Sequence, residues 1–225
     1  MRTYLYISDA KVDTYLPQFS GEEKRRIAVK LGVNLKVFEA SVEGERLPLT
    51  NRVHRLEAVE EKLREDEPVG PVEAGTGWIE GTVNATAATF PDQPDLMFFF
   101  SDEPAQFLGL AGSAHHVIGN LRPATAVSSM SYQHVITNSL LSLDRGMAFV
   151  VKGGDAEVSD FVTAGVTQGA SAWTEVLMDL PEQFEGQPKQ AISFLARRLT
   201  SEFVPWQDKR YTLATPLYLT LEDVE

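Results

Sequence analysis

The chain contains no cysteine. Disulfides, a thiol nucleophile and a thiolate metal site are therefore excluded. No run of about eighteen apolar residues occurs, so no membrane-spanning helix is expected. The opening MRTYLYISDAK has no charged leader, apolar stretch or small-residue cleavage site, so export is not expected either, and the setting expected is cytoplasmic. Repeats of 20–50 residues and low-complexity tracts are also missing.

Cations are scarce in one particular place. Between Arg64 and Arg122 there is no lysine or arginine, while nine aspartates and glutamates, from Glu65 to Glu103, fall inside that interval. The formal charge of −12 is correspondingly lopsided: residues 1–70 hold twelve Lys/Arg against thirteen Asp/Glu, and residues 71–225 hold eight against nineteen. Affinity for nucleic-acid backbones and for anionic lipid rests on cationic contacts, so neither a nucleic acid nor a membrane is an expected partner. The one basic cluster, EKRRIAVK at residues 23–30, lacks interleaved aromatics and reads as the solvated face of a helix.

With 225 residues, 43% of them hydrophobic, the chain can bury a full core as one domain. TYLYIS near the start is β-branched and aromatic without polar alternation, which predicts a central strand buried on both faces. Ser8 or Asp9 then caps a short helix that Pro17 ends. Ser20 and Glu23 have capping-box spacing ahead of a stripe at Ile27, Leu31, Leu35 and Phe38, with Gly32 as an interruption. A second amphipathic helix follows, with Val53, Leu56, Val59 and Leu63 on one face and Glu60 paired with Arg64 on another. Residues 67–77, EPVGPVEAGTG, break the pattern. If the chain divides at all, this stretch is the hinge between a helical part, 1–66, and a strand-rich part, 78–225.

Beyond the break the period changes to strand. WIEGTVNATAATF, DLMFFFS and AQFLGLAGSAHHVIG, joined by short connections, predict an antiparallel meander. VSSMSYQHVITNSLLSL at 127–143 has helical spacing, and MAFVVK and SAWTEVLMDL are expected as strands. QAISFLARRLTSEF is expected as a helix with Ile192, Leu195, Ala196 and Leu199 inward. RYTLATPLYLTL closes the pattern as a strand alternating at Tyr211, Leu213, Leu217, Leu219 and Leu221. Grouped helices and grouped strands predict an α+β fold, a mostly antiparallel sheet packed against amphipathic helices, two of them N-terminal and following a buried first strand.

FLGLAGSAHHVIGN, residues 107–120, is the most chemical stretch. A phosphate cradle needs a lysine or a G-x-G-x-x-G turn opening a helix, and both are missing. A hydrolase could use Ser113 with His115 or His134 as base and Asp9 or Asp13 behind it, although AGSAH lacks the G-x-S-x-G elbow. His115 and His116 point to different sides of an extended chain or helix, so no metal site is assigned, and a metal enzyme would have to add His54, His134 or carboxylates. In the plainest reading Gly109 and Gly112 permit close approach inside a strand, with one histidine buried and the other facing a groove. Trp173 and Trp206 read as partly buried anchors.

YLYISDAKVDTYLPQ, GLAGSAHHVIG, and FLARRL with the late LATPLYLTLED resemble an uncharacterised bacterial protein family of unknown function. That resemblance covers most of the chain and implies one architecture and a cytoplasmic bacterial setting, with no assigned catalytic residue. The function expected is a non-enzymatic binding or regulatory module for a partner protein or a small ligand, without a cofactor. Its groove would be formed by Ser8, Asp9, Lys11 and Asp13 meeting Gly112, Ser113, His115 and His116. A Ser113 hydrolase and a His/carboxylate metal enzyme are the alternatives.

Overall fold

A computed structural model describes residues 2–31, 49–90, 93–119, 121, 124–125 and 172–222. The helix expected at 127–143, the strand expected at 147–152 and His134 lie outside the described residues.

Five long strands close on themselves. β3 (Trp78–Phe90), β4 (Gln93–Glu103) and β5 (Gln106–Ser113) form the expected antiparallel meander. β8 (Lys209–Leu221) joins β5 in parallel, from Gln106↔Arg210 to Leu110↔Ala214. β7 (Gln190–Val204) pairs antiparallel with both β8 and β3, completing a barrel. β1 (Thr3–Ile7) lies outside this ring, antiparallel to the far half of β8 from Thr3↔Leu221 to Ile7↔Tyr218. Two short strands, β2 (Val69–Gly70) and β6 (Ala124–Thr125), run parallel to β3.

Alternation along each strand divides the apolar residues. Ile79 and Ala85 of β3, Met97 and Phe99 of β4, Leu108 and Leu110 of β5, Ile192 and Phe194 of β7, and Ala214 and Leu219 of β8 belong to one buried cluster. Because all five ring strands contribute buried residues to it, this cluster is the barrel interior. The opposite face of β4, β5 and β8, with Phe98, Phe100, Phe107 and Tyr211, packs on α4 (Ala172–Gln183) through Leu177, Leu180 and Phe184 just beyond it. A third cluster seats α1 (Asp9–Tyr15) and α3 (Leu49–Asp66) on Leu195, Leu217 and Tyr218. Each fully buried Phe or Leu contributes about 1.5–3 kcal/mol.

Local rules hold in the helices. Before α2 (Gly21–Leu31), the Ser20 N–H donates to Glu23 at 2.7 Å and the Glu23 N–H donates to the Ser20 hydroxyl at 3.2 Å, a complete capping box. On α3, Leu56, Val59 and Leu63 are buried, and Arg64 meets Glu60 at 3.0 Å. None of the described helices is long and apolar enough to cross a membrane.

Four expectations are corrected. Residues 190–204 form β7, not a helix: Ile192, Phe194 and Ala196 enter the barrel while Leu195 faces the helices, and register shifts after Leu195 and Arg198 erase a simple period of two. Ala172–Leu180 of the stretch SAWTEVLMDL belong to α4, not a strand; Thr174, Leu177, Leu180 and Phe184 are buried at helical spacing. β1 stands at one end of the strand order, not its centre, although Leu5, Tyr6 and Ile7 are buried and the chain at Val117–Ile118 runs beside it. β8 does not alternate, since Tyr211–Thr220 are buried throughout. Pro216 is accommodated where the β7–β8 register shifts, and there the Leu217 carbonyl accepts the Ser8 N–H at 2.9 Å.

Candidate functional site

The structure brings together the two segments singled out above. Ile118 N–H donates to the Leu5 carbonyl at 2.8 Å and Tyr6 bridges Val117, so the chain leaving β5 runs alongside β1. Asp9, in the first turn of α1, faces His116 with Oδ2 and Nδ1 3.6 Å apart. Its other oxygen accepts from buried Arg52 Nε at 2.9 Å, and Arg52 also donates to the Ile7 carbonyl at 3.2 Å. Burial pushes the Asp9 carboxyl up, but hydrogen bonds from His116 and Arg52 outweigh it and leave the group below its ordinary value. Lys11 donates to Thr215 at 2.7 Å and lies 3.5 Å from the Ser8 hydroxyl, and Arg55 meets Asp13 at 2.5 Å.

The glycines here are steric. A Cβ on Gly112 would overlap the Tyr6 hydroxyl, and one on Gly109 would lie 2.6 Å from Phe98 and 2.8 Å from Leu213. Ser113 caps the 3₁₀ turn Ala114–His116, its hydroxyl accepting the His115 N–H at 3.3 Å. His115 is exposed, whereas His116 is mostly covered and sits edge-on to the Tyr6 ring. Asp9, Lys11, Asp13 and His116 are thus engaged with the chain itself, and their contacts lock α1 and α3 onto the sheet. Among the described residues no three His, Asp or Glu side chains converge to hold a metal ion.

A second place has a different character. β3 pairs with β4 only from Thr86↔Phe100 to Phe90↔Gln93, whereas Trp78–Ala85 pair with β7. Below Thr86 the two strands part and the barrel wall opens into a cleft of about 460 Å³. Val72, Val83, Leu108 and Pro104 supply apolar lining. Gly81 leaves space in the β3 wall, since a Cβ there would meet only the Phe194 ring, at 3.5 Å.

Two residues of this lining each carry a buried polar atom without a hydrogen-bond partner among the described residues. Ser101 is 2% exposed, and neither its hydroxyl nor the Gln106 amide nitrogen has a hydrogen-bond partner among the described residues. Leaving such groups buried and unbonded costs about 1–3 kcal/mol each. Native structures keep few of them, so each calls for an explanation such as strain, a catalytic role or a bound water or ion. At the rim stand Glu73, Glu80 and Glu103, with Glu80 held by Arg64 at 2.6 Å. Behind Val72, whose carbonyl accepts from Arg198 at 2.5 Å, burial and nearby Arg210 pull the Arg198 guanidinium down while Glu73 pulls it up.

The sequence points to Ser8–Asp13 and Gly112–His116, and carries no local signal at Ser101 and Gln106. Nothing about SDEPAQ marks a site locally, because it reads as a strand end and a turn. The signal that was legible is the cation-free interval, since every residue lining the cleft, from Pro71 to Leu108, falls within it.

Comparison with curated proteins and with solved structures finds no match. A family model does match, over residues 2–223, nearly the whole chain. On that ground the chain belongs to the family of unknown function DUF7019.

Proposed function

We propose that this protein is a binding domain for a small molecule, which it takes up in the cleft where β3 parts from β4. The observation that carries this reading is the Ser101 hydroxyl, buried and unbonded in the wall of a cleft of about 460 Å³. Pockets of about 300–1,000 Å³ with mostly apolar walls and a few convergent polar groups are the usual form of small-molecule sites. Ser101 and Gln106 supply such groups, and the flanking barrel supplies rigidity. The cluster at Asp9, Arg52 and His116 then acts as structural support, holding the helices against the sheet.

A thermal-shift screen with a library of small metabolites tests the reading. Ligands that raise the melting temperature of the native protein are expected to lose their effect in Gly81→Leu, whose side chain grows into the cleft, and to weaken in Ser101→Val. If every stabilising compound acts equally on both variants, binding lies elsewhere and the cleft reading is wrong.

A further inference from the structure

The lining of the cleft contains three glutamates and no lysine or arginine. Of the three neighbouring guanidiniums, Arg64 bonds Glu60 and Glu80, Arg198 bonds the Val72 carbonyl, and Arg210, whose backbone pairs beside Gln106, lies over the Phe203 ring. Glu73 shares the field of Arg198. Glu103, exposed at the end of β4, has no cationic partner among the described residues. Beneath this rim the Ser101 hydroxyl and the Gln106 amide nitrogen are buried without a hydrogen-bond partner among the described residues. Between rim and floor the walls are apolar, at Val72, Val83 and Leu108. Anionic ligands would meet Glu73 and Glu103 with no compensating charge in the lining. A bare metal ion would find no set of three ligating side chains among the described residues.

Resting on the reading that the cleft binds a small molecule, we infer that its ligand is an organic cation: an apolar body of roughly drug-fragment size bearing an amine, with the ammonium at Glu103 and Glu73 and the body against Leu108 and Val83. Selectivity comes from the sign of the charge. The acidic rim favours an ammonium over its neutral or anionic analogue, and the effect is sensitive to salt because the rim is wet.

Three probes sharing one phenyl body separate charge from shape: phenethylamine, N-acetylphenethylamine and 3-phenylpropionate. Each is titrated into the ¹⁵N-labelled full chain, following the amides of Gly81, Ser101 and Gln106. Phenethylamine is expected to shift these amides saturably and to bind about fivefold more tightly than its acetylated analogue, the size expected of an exposed charge pair, with 3-phenylpropionate weakest. High salt narrows the gap, and Glu103→Gln closes most of it; Glu73→Gln closes part, while Glu185→Gln, away from the cleft lining, leaves it intact. Equal binding of amine and amide at the same amides, or preference for the propionate, overturns the cation inference while leaving the cleft occupied and the binding reading standing. Should none of the three shift the cleft amides at millimolar concentration, the inference fails, and the binding reading then rests on the metabolite screen, which uses different ligands and a different readout.

Discussion

Asp9 and His116 face each other across the seam between α1 and the turn that ends β5, with Oδ2 and Nδ1 3.6 Å apart. Arg52 closes the same carboxylate from α3 at 2.9 Å. One aspartate therefore ties two helices to the sheet, and the charge it carries matters to stability.

Acid is expected to release this tie. Asp9 is held below its ordinary value, and Glu23 is held down to about 2 by Lys62 and by the Ser20 backbone and hydroxyl. A carboxyl with a depressed folded-state pKa contributes stability that is complete above its unfolded value near 4 and is lost as pH falls through the folded one. Urea midpoints should therefore drop between about pH 4 and pH 2, and less steeply in Asp9→Asn/Glu23→Gln. At neutral pH Asp9→Ala should cost about 2 kcal/mol, because it leaves buried Arg52 uncompensated, and Arg52→Met added to it should recover part of the loss. An Asp9→Ala variant as stable as the native chain would show that the tie contributes nothing.

Alkali should act through two tyrosines. Tyr218, pushed up to about 12 by burial and by Glu60, donates to Glu60 at 3.1 Å, and Tyr211 is raised to about 12 by burial and by Asp102. Phenols raised on folding contribute stability that is complete below their unfolded value near 10 and disappears as pH rises toward 12. Denaturant midpoints are expected to fall over that window. Tyr218→Phe should flatten the fall while lowering stability at neutral pH by about 1 kcal/mol for the lost hydrogen bond. A Tyr218→Phe curve that parallels the native one would remove Tyr218 from the account.

The two glycines of β5 make a steric prediction. Gly109→Ala drives a methyl into Phe98 and Leu213 and is expected to cost about 1–3 kcal/mol. Gly112→Ala meets the Tyr6 ring, so its cost should shrink in a Tyr6→Phe background without vanishing, because the ring carbon behind the hydroxyl is still 2.7 Å from the new Cβ. Additive costs in that double-variant cycle would mean that the two residues do not compete for the same space.

Ser113 offers a direct check on the alternative chemistry. As the cap of a 3₁₀ turn, it is expected to resist stoichiometric labelling by a fluorophosphonate, and Ser113→Ala should cost about 1 kcal/mol or less. Labelling of the native chain that disappears in Ser113→Ala would establish a nucleophile and overturn the purely binding role.

What could be read from the residues alone were features fixed by near neighbours. The capping box at Ser20 and Glu23, the stripe from Leu56 to Leu63 and the meander β3–β4–β5 depend on spacings of a few residues, and the lack of lysine and arginine from Glu65 to Leu121 is a matter of counting. Tertiary structure decided the rest. β7 and α4 exchange their expected identities because β7 is buried on both faces at Phe194–Ala196 and shifted in register, so Ile192, Leu195, Ala196 and Leu199 imitate a helix, while α4 covers an aromatic sheet face. Closure of the barrel through β5 and β8, the parting of β3 from β4 over Ser101, and the meeting of Asp9 with His116 all join residues far apart in the chain. Such pairings are selected by which apolar faces can be buried together, a choice that no local periodicity encodes.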